Sequence, residues 1–194
     1  MKLIGISGLA RSGKTLTTEM LLEVLNSPFN RHYNQPNYKW ETKAFADPIK
    51  DMLQTLGLSL DDIEKYKTKV HPVLGKTTRE LMQTLGTDWG RGHDKDFWLN
   101  VMKNKLSYKD NVIISDVRFH NEAQFIRDNH GLIIHVVGRG GIPGFHVSEQ
   151  LLPFNENDIH IDNSGGKHEL YHKVRSLYVP IHSHFEFQEL TGKL

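Results

Sequence analysis

Apolar and polar positions along the chain follow two periods, and their alternation predicts the elements. Leu3 to Ile6 is a continuous apolar run, as expected of a strand buried on both faces. An amphipathic stretch follows from about Gly13 to Leu25, with Leu16, Met20, Leu21, Val24 and Leu25 on one helical stripe. Asn26-Ser27-Pro28 stops it. The next stretch, Pro28 to Glu41, is polar and aromatic by turns and reads as a surface loop. Thr42 to Ala46 is a second strand, and Asp47-Pro48 opens a helix over Ile49–Leu56 with Asp47 as its cap. Ser59 to Asp62 starts a short helix that His71-Pro72 and Gly75 break. A helix over Thr78–Leu85 turns Leu81, Met82 and Leu85 inward, Gly86 to Arg91 is a turn, and a helix from about Asp94 to Leu106 buries Phe97, Val101 and Leu106. Asn111 to Asp116 is the clearest buried strand. After it come a helix over Asn121–Asn129, a strand over Leu132–Val137, a glycine-rich loop over Gly138–Gly144 and a helix start at His146–Glu149. A strand over Asp158–Asp162 and a helix over Lys167–Tyr178, ended by Pro180, complete the pattern, with a tail that is partly helical or loose. Five strands separated by helices predict an α/β fold, a doubly wound parallel sheet with right-handed crossovers. The expected organisation is one domain, 1–194, with a helical insertion at about 47–107 that is too long for a simple crossover and suits a second substrate.

The junction of the first strand and first helix carries the strongest chemistry. Gly8-x-x-x-x-Gly13-Lys14-Thr15 is a phosphate-loop pattern in the setting it requires, with a strand before and a helix after. The cradle spans Gly8, Arg11, Ser12, Gly13, Lys14, Thr15 and Leu16. Backbone N–H groups of the loop and first helical turn converge on one concavity, and the helix dipole adds positive potential. Lys14 can reach terminal phosphates, and the Thr15 hydroxyl can ligate Mg²⁺.

Two further strand ends deliver polar groups, at the sheet edge where open α/β sheets bind ligands. Asp47 follows the second strand, with Lys50 one turn on. It reads either as a helix cap or as a carboxylate in the cleft. Asp116 ends the most apolar strand, with Arg118, Asn121 and Glu122 after it. This suits a metal-holding carboxylate beside a phosphate-binding arginine. On the insertion, Arg79 and Gln83 are four apart and share a helix face.

Composition excludes more than it identifies. With 194 residues, 38% hydrophobic and 24% charged, the chain has the make-up of a globular domain. A net charge of +1 gives no field demanding nucleic acid or an anionic membrane. The chain has no cysteine, which removes disulfides, zinc–thiolate sites and thiol catalysis, and suits a reducing cytoplasm. Met1 leads directly into the phosphate loop, which leaves no room for a signal peptide, and no apolar run reaches membrane-spanning length.

Taken in order, Gly8…Gly13-Lys14-Thr15, Phe45-Ala46-Asp47-Pro48-Ile49-Lys50, Arg79…Gln83…Gly86-Thr87-Asp88…Arg91, Asp116-Val117-Arg118-Phe119-His120-Asn121-Glu122, His146-Val147-Ser148-Glu149 and Asp162-Asn163-Ser164-Gly165 form a set that resembles the deoxynucleoside monophosphate kinases of bacteriophages. The resemblance runs from Met1 to about Tyr178. It implies a three-layer α/β/α nucleotide-kinase fold with sheet order 2-3-1-4-5, ATP and Mg²⁺ at the phosphate loop, and a nucleoside monophosphate under the insertion. It implies Lys14, Arg118, Asp47 and Asp116 as catalytic residues and Thr15 and Asp116 on the metal. Asn163 and Gly165 would border the adenine. The acceptor would be held by Asp47, Lys50, Arg79, Gln83, Thr87, Arg91, Trp98, Glu122 and Glu149. The lid arginine would be Arg127 or Arg139. The implied reaction is in-line transfer of the γ-phosphoryl group, in the host cytoplasm if the chain is phage-encoded. No nucleic-acid polymer and no membrane is implied as a partner, and a homodimer is left open.

Two rivals share some of these features. Kinases of dephospho-coenzyme A or phosphomevalonate would share loop and sheet and differ only in the acceptor site. A GTPase-like switch would want Asn-Lys-x-Asp, and the nearest match, Asn104-Lys105-Leu106-Ser107, lacks the aspartate.

Overall fold

In the computed structural model, residues 1–28, 39–107, 111–141 and 150–194 are described. They divide into two compact units, one built from Met1–Lys43 with Ser107–Leu194 and the other from Ala44–Leu106.

The larger unit is organised on a parallel sheet of order β2-β3-β1-β4-β5, as expected. Its strands are β1 Lys2–Ser7, β2 Trp40–Lys43, β3 Asn111–Val117, β4 Leu132–Val137 and β5 Ile159–Asp162. β1 lies between β3 and β4, so both its edges are paired and both its faces are covered. That double burial is why Leu3, Ile4 and Ile6 are all apolar and fully buried. On one face, helices α1 (Lys14–Asn26), α7 (Lys167–Ser176) and α8 (Tyr178–Leu190) pack over Ile4, Ile6, Ile113, Ile134 and Ile161. On the other face lies α6 (His120–Asp128). Gly5 makes room there, because a Cβ would lie 2.6 Å from Ile126 and 2.7 Å from Ile133.

The second strand falls earlier than predicted, at Trp40–Lys43 instead of Thr42–Ala46. Asn26 explains the start, since its side-chain amide bonds both the N–H and the C=O of Trp40. Asp47 explains the end. Its Oδ2 accepts from the Ala44 N–H at 2.7 Å, curling residues 44–46 into a turn. Trp40, read as loop, is buried, with its ring 5.7 Å from Phe185. The helix before Pro180 does end, at Ser176, but Pro180 itself sits in the first turn of a further helix, α8. An N–H there has no helical acceptor, so proline costs nothing.

The smaller unit holds α2 (Asp47–Thr55), α3 (Leu60–Lys65), α4 (Thr78–Gln83), a π-helix (Thr84–Arg91) and α5 (Phe97–Lys105). α3 and α4 both open on capping boxes, Ser59 with Asp62 and Thr77 with Glu80. Leu53, Leu58 and Ile63 form its core, with Leu81, Met82 and Leu85 against them. Two expectations fail here. Gly86 to Arg91 is π-helical, not a turn. α5 buries Trp98, Leu99 and Met102, not Phe97, Val101 and Leu106, so the helix is rotated from the predicted face. Both follow from Trp98, whose Nε1 donates to the Gly86 carbonyl at 2.6 Å and draws its own face of α5 inward.

Candidate functional site

The phosphate loop leaves β1 at Gly8 and enters α1 at Lys14. Three residues in it have positive φ: Gly8 at 150°, Arg11 at 62° and Gly13 at 99°. Gly8 is required by space, since a Cβ would meet the Val136 carbonyl at 2.5 Å. Lys14 Nζ donates to the carbonyls of Gly8 and Leu9, each at 2.7 Å, so its ammonium group spans the loop. Arg11 and Thr15 are exposed and Leu16 is half-buried. Ser12 is fully buried, and its Oγ has no hydrogen-bond partner among the described residues.

The loop is braced from two sides. The backbone after β4 lies against it: Gly141 N–H donates to the Ala10 carbonyl at 3.0 Å, and a Cβ on Gly140 would meet Ser12 N at 2.5 Å. After β5, the Asn163 side-chain amide donates to the Ser12 carbonyl at 2.7 Å. Gly165 sits two residues on, and its carbonyl accepts from Arg139 at 2.8 Å. Asp162 orders this turn through the Ser164 hydroxyl and the Lys173 ammonium, which together hold its carboxyl below the usual range.

β3 brings the carboxylate. Its register against β1 advances from Gly5↔Ile114 to Ser7↔Val117, so β3 carries one extra residue around Ser115 and Asp116. Such bulges re-aim side chains beside functional sites. Asp116 is half-buried there, and Arg118 follows directly. Glu122 is 2% exposed, and its Oε2 accepts from the backbone N–H of Arg118 at 2.8 Å and of Phe119 at 3.0 Å. This carboxylate thus fixes the turn that carries Arg118.

The two candidate lid arginines are now distinguishable. Arg127 lies at the end of α6, before the amino end of β4, where it forms a two-pronged pair with buried Asp158, at 3.2 and 2.6 Å. His135 Nε2 shares the same Asp158 oxygen, at 2.9 Å. Burial opposes ionisation of Asp158, but Arg127, the Asn155 N–H and His135 outweigh it, and the carboxyl stays low. Burial likewise pushes His135 down, against the pull of Asp158. Arg127 is committed to this network, whereas Arg139 stands on the segment that touches the phosphate loop.

Within the smaller unit, Asp47 Oδ1 lies 3.4 Å from Lys50 Nζ. Arg79 and Gln83 are half-buried one turn apart on α4, and Thr87 and Arg91 continue along the π-helix. Arg91 donates to the Lys95 carbonyl at 2.8 Å. Trp98, expected at the acceptor, is 4% exposed and sealed behind Gly90, so it cannot offer a ring face; the accessible ring beside it is Trp89, at 42%. Glu149 lies outside the described residues. Sequence reasoning missed two features here, the Asn163–Ser12 bond and the π-helix. The glycines at 13 and 90, each too crowded for a Cβ, were the signals available.

A family model described as deoxynucleotide monophosphate kinase matches residues 56–174. A protein of Acanthamoeba polyphaga mimivirus that carries the provisional name deoxynucleotide monophosphate kinase is 31% identical over 198 aligned residues, covering 91% of this chain and 95% of the relative. The deoxynucleotide monophosphate kinases of Escherichia phage RB69 and Enterobacteria phage T4 are 36% and 32% identical over 107 residues. Those matches cover 51% and 52% of this chain and 43% and 44% of the phage enzymes.

Proposed function

Because the chain belongs to the deoxynucleotide monophosphate kinase family, we propose that it transfers the γ-phosphoryl group of ATP to a deoxynucleoside 5′-monophosphate. The observation that carries this reading is the Lys14 ammonium bridging two loop carbonyls at the start of α1, a cradle suited to polyphosphate. An acceptor phosphate oxygen attacks the γ-phosphorus in line. The bond to the β–γ bridging oxygen breaks, and its electron pair leaves with ADP. The attacking oxygen is already anionic, so the protein needs no strong base and works by positioning and charge neutralisation.

Lys14, Arg118 and, as lid, Arg139 neutralise the transferring group. Asp47, Lys50, Arg79, Gln83, Thr87 and Arg91 hold the acceptor, and residues 44–106 form the acceptor-binding insertion of one kinase domain. Thr15 and Asp116 fit Mg²⁺. An exposed hydroxyl in the first turn and a half-buried carboxylate at a strand end are hard oxygen donors of the kind that ion accepts while keeping waters. Bound there, Mg²⁺ would supply positive charge to offset that of the polyphosphate. No helix among the described residues is long and apolar enough to cross a membrane. We place the reaction in the cytoplasm.

The test is a coupled ADP-release assay with ATP, Mg²⁺ and each common ribo- and deoxyribonucleoside monophosphate, with dephospho-coenzyme A and phosphomevalonate alongside. Turnover of one or more deoxynucleoside monophosphates is expected. Turnover confined to either of the last two compounds would overturn the acceptor assignment and spare the phosphate loop.

A further inference from the structure

We infer that Asn163 is a positioning residue of the phosphate loop, holding the Ser12–Gly13 peptide so that the Gly13 N–H faces the phosphates. The inference rests on the reading of residues 8–15 as the ATP-phosphate site. A trans peptide is planar, so its C=O and N–H point in opposite directions. The Ser12 carbonyl is taken by Asn163 Nδ2 at 2.7 Å in a buried bond. The N–H of Gly13, on the same peptide, therefore points away from Asn163.

The neighbouring groups leave that peptide little freedom. Ser12 N–H donates to the Leu9 carbonyl at 3.1 Å, and the Gly13 carbonyl accepts from Thr17 N–H at 2.9 Å. Gly13 must be glycine twice over: its φ is 99°, and a Cβ would collide with the same Asn163 nitrogen. Asn163 is itself fixed, 5% exposed, with its backbone N–H on the Val137 carbonyl at 2.8 Å. Its Nδ2 therefore serves the loop and not a base edge. The chemistry selects asparagine. Aspartate would set lone pairs against a carbonyl oxygen, and an apolar side chain would leave that oxygen buried and unpaired.

The experiment is titration calorimetry of ATP and inorganic tripolyphosphate on the wild-type chain, Asn163→Leu and Asn163→Ala, with thermal unfolding as the check on folding. Both ligands should bind the variants about tenfold or more weakly, the scale of an unpaired buried carbonyl. In turnover, the KM for ATP should rise while the acceptor KM holds. Loss on ATP with none on tripolyphosphate would put Asn163 at the base and overturn the inference. So would variants that bind both as wild type does. If wild type itself bound neither ligand, the phosphate-loop reading would fail instead, which is a distinguishable result. Should neither variant fold, the Gly13 amide of the wild-type chain decides by NMR. It should shift on adding tripolyphosphate, and an unmoved Gly13 beside shifted Lys14 and Thr15 amides would overturn the inference.

Discussion

Two irregular segments of this molecule are braced by the same device in different materials. At the phosphate loop, Gly13 admits the Asn163 amide, which donates to the Ser12 carbonyl. At the π-helix, Gly90 admits the Trp98 indole, which lies 2.5 Å from where a Cβ would sit and donates to the Gly86 carbonyl. In each case a missing Cβ lets a side-chain N–H reach a backbone oxygen that regular geometry would have used otherwise. The difference is what surrounds the bond. Asn163 brings one directed hydrogen bond and little apolar area. Trp98 brings a large ring packed edge-on to Phe97 at 4.9 Å and tilted against Trp89 at 6.2 Å. The first device orients a peptide; the second holds a helix together as well.

The largest expected effect falls on the aromatic device. Trp98→Ala should cost about 3–5 kcal/mol of stability, the range for deleting a large buried aromatic, read by denaturant unfolding. A loss near zero would show that the π-helix stands without its ring. Next comes the loop's charge. Lys14→Met should lower kcat by about 10²-fold or more, the scale of one lost electrostatic stabiliser, with the unfolding midpoint kept. Near-normal turnover would remove Lys14 from the transferring phosphate.

The glycines offer the most direct comparison. Gly90→Ala should cost about 1–3 kcal/mol by overpacking against Trp98 and leave tripolyphosphate affinity alone. Gly13→Ala should also cost stability, through its positive φ and the displaced Asn163 amide, but unlike Gly90→Ala it should weaken that affinity as well, by about tenfold or more. If both substitutions changed stability alone, the distinction between the two devices would collapse. A smaller effect is expected from Arg79→Ala and Arg91→Ala. Each should raise the acceptor KM by about tenfold, one charge-assisted contact, with the KM for ATP unchanged. The opposite pattern would move them to the donor side.

Neither device contains a titratable group, so acid should act elsewhere first. His135 has its pKa lowered by burial, so the folded state prefers the neutral ring. Its contribution is full above the unfolded value of about 6.5 and is lost as pH falls from there towards the lowered folded value. Asp158, also lowered, loses its contribution only below the ordinary carboxylate range. Stability should therefore begin to fall below about pH 6.5, and His135→Phe should blunt that onset. An onset unmoved by the substitution would clear His135.

How far the chain could be read from sequence tracks these same distinctions. The buried strands were legible because parallel strands must be apolar on both faces, as Ile113 and Ile134 are. The shape of the loop at Gly8–Lys14 was legible because glycine spacing encodes backbone directly, as the positive φ of Gly8 and Gly13 shows. Asp116 was legible as the end of an apolar run, but the extra residue of β3 that turns it was not, because no residue type marks a bulge there. The π-helix was read as a turn for a physical reason. Gly86, Thr87, Asp88 and Gly90 have turn chemistry locally, and the indole that overrides it arrives from α5. Glu122 was read as an acceptor contact, whereas its carboxylate caps the turn before α6, a use that residue type and position also fit.

The brace on Ser12 has a consequence in time. Its two ends are 151 residues apart, so the motif is written near the start of the chain but its geometry is closed near the end. Contacts of such long range form late, because the entropy of the intervening loop must be overcome first. During synthesis the Gly8–Thr15 segment emerges early, and it awaits β5 before its peptides are set. A nascent chain that ends before residue 163 carries the nucleotide-binding sequence without the shape that uses it. On the proposed reading, full affinity for a triphosphate is expected only once the last strand has joined.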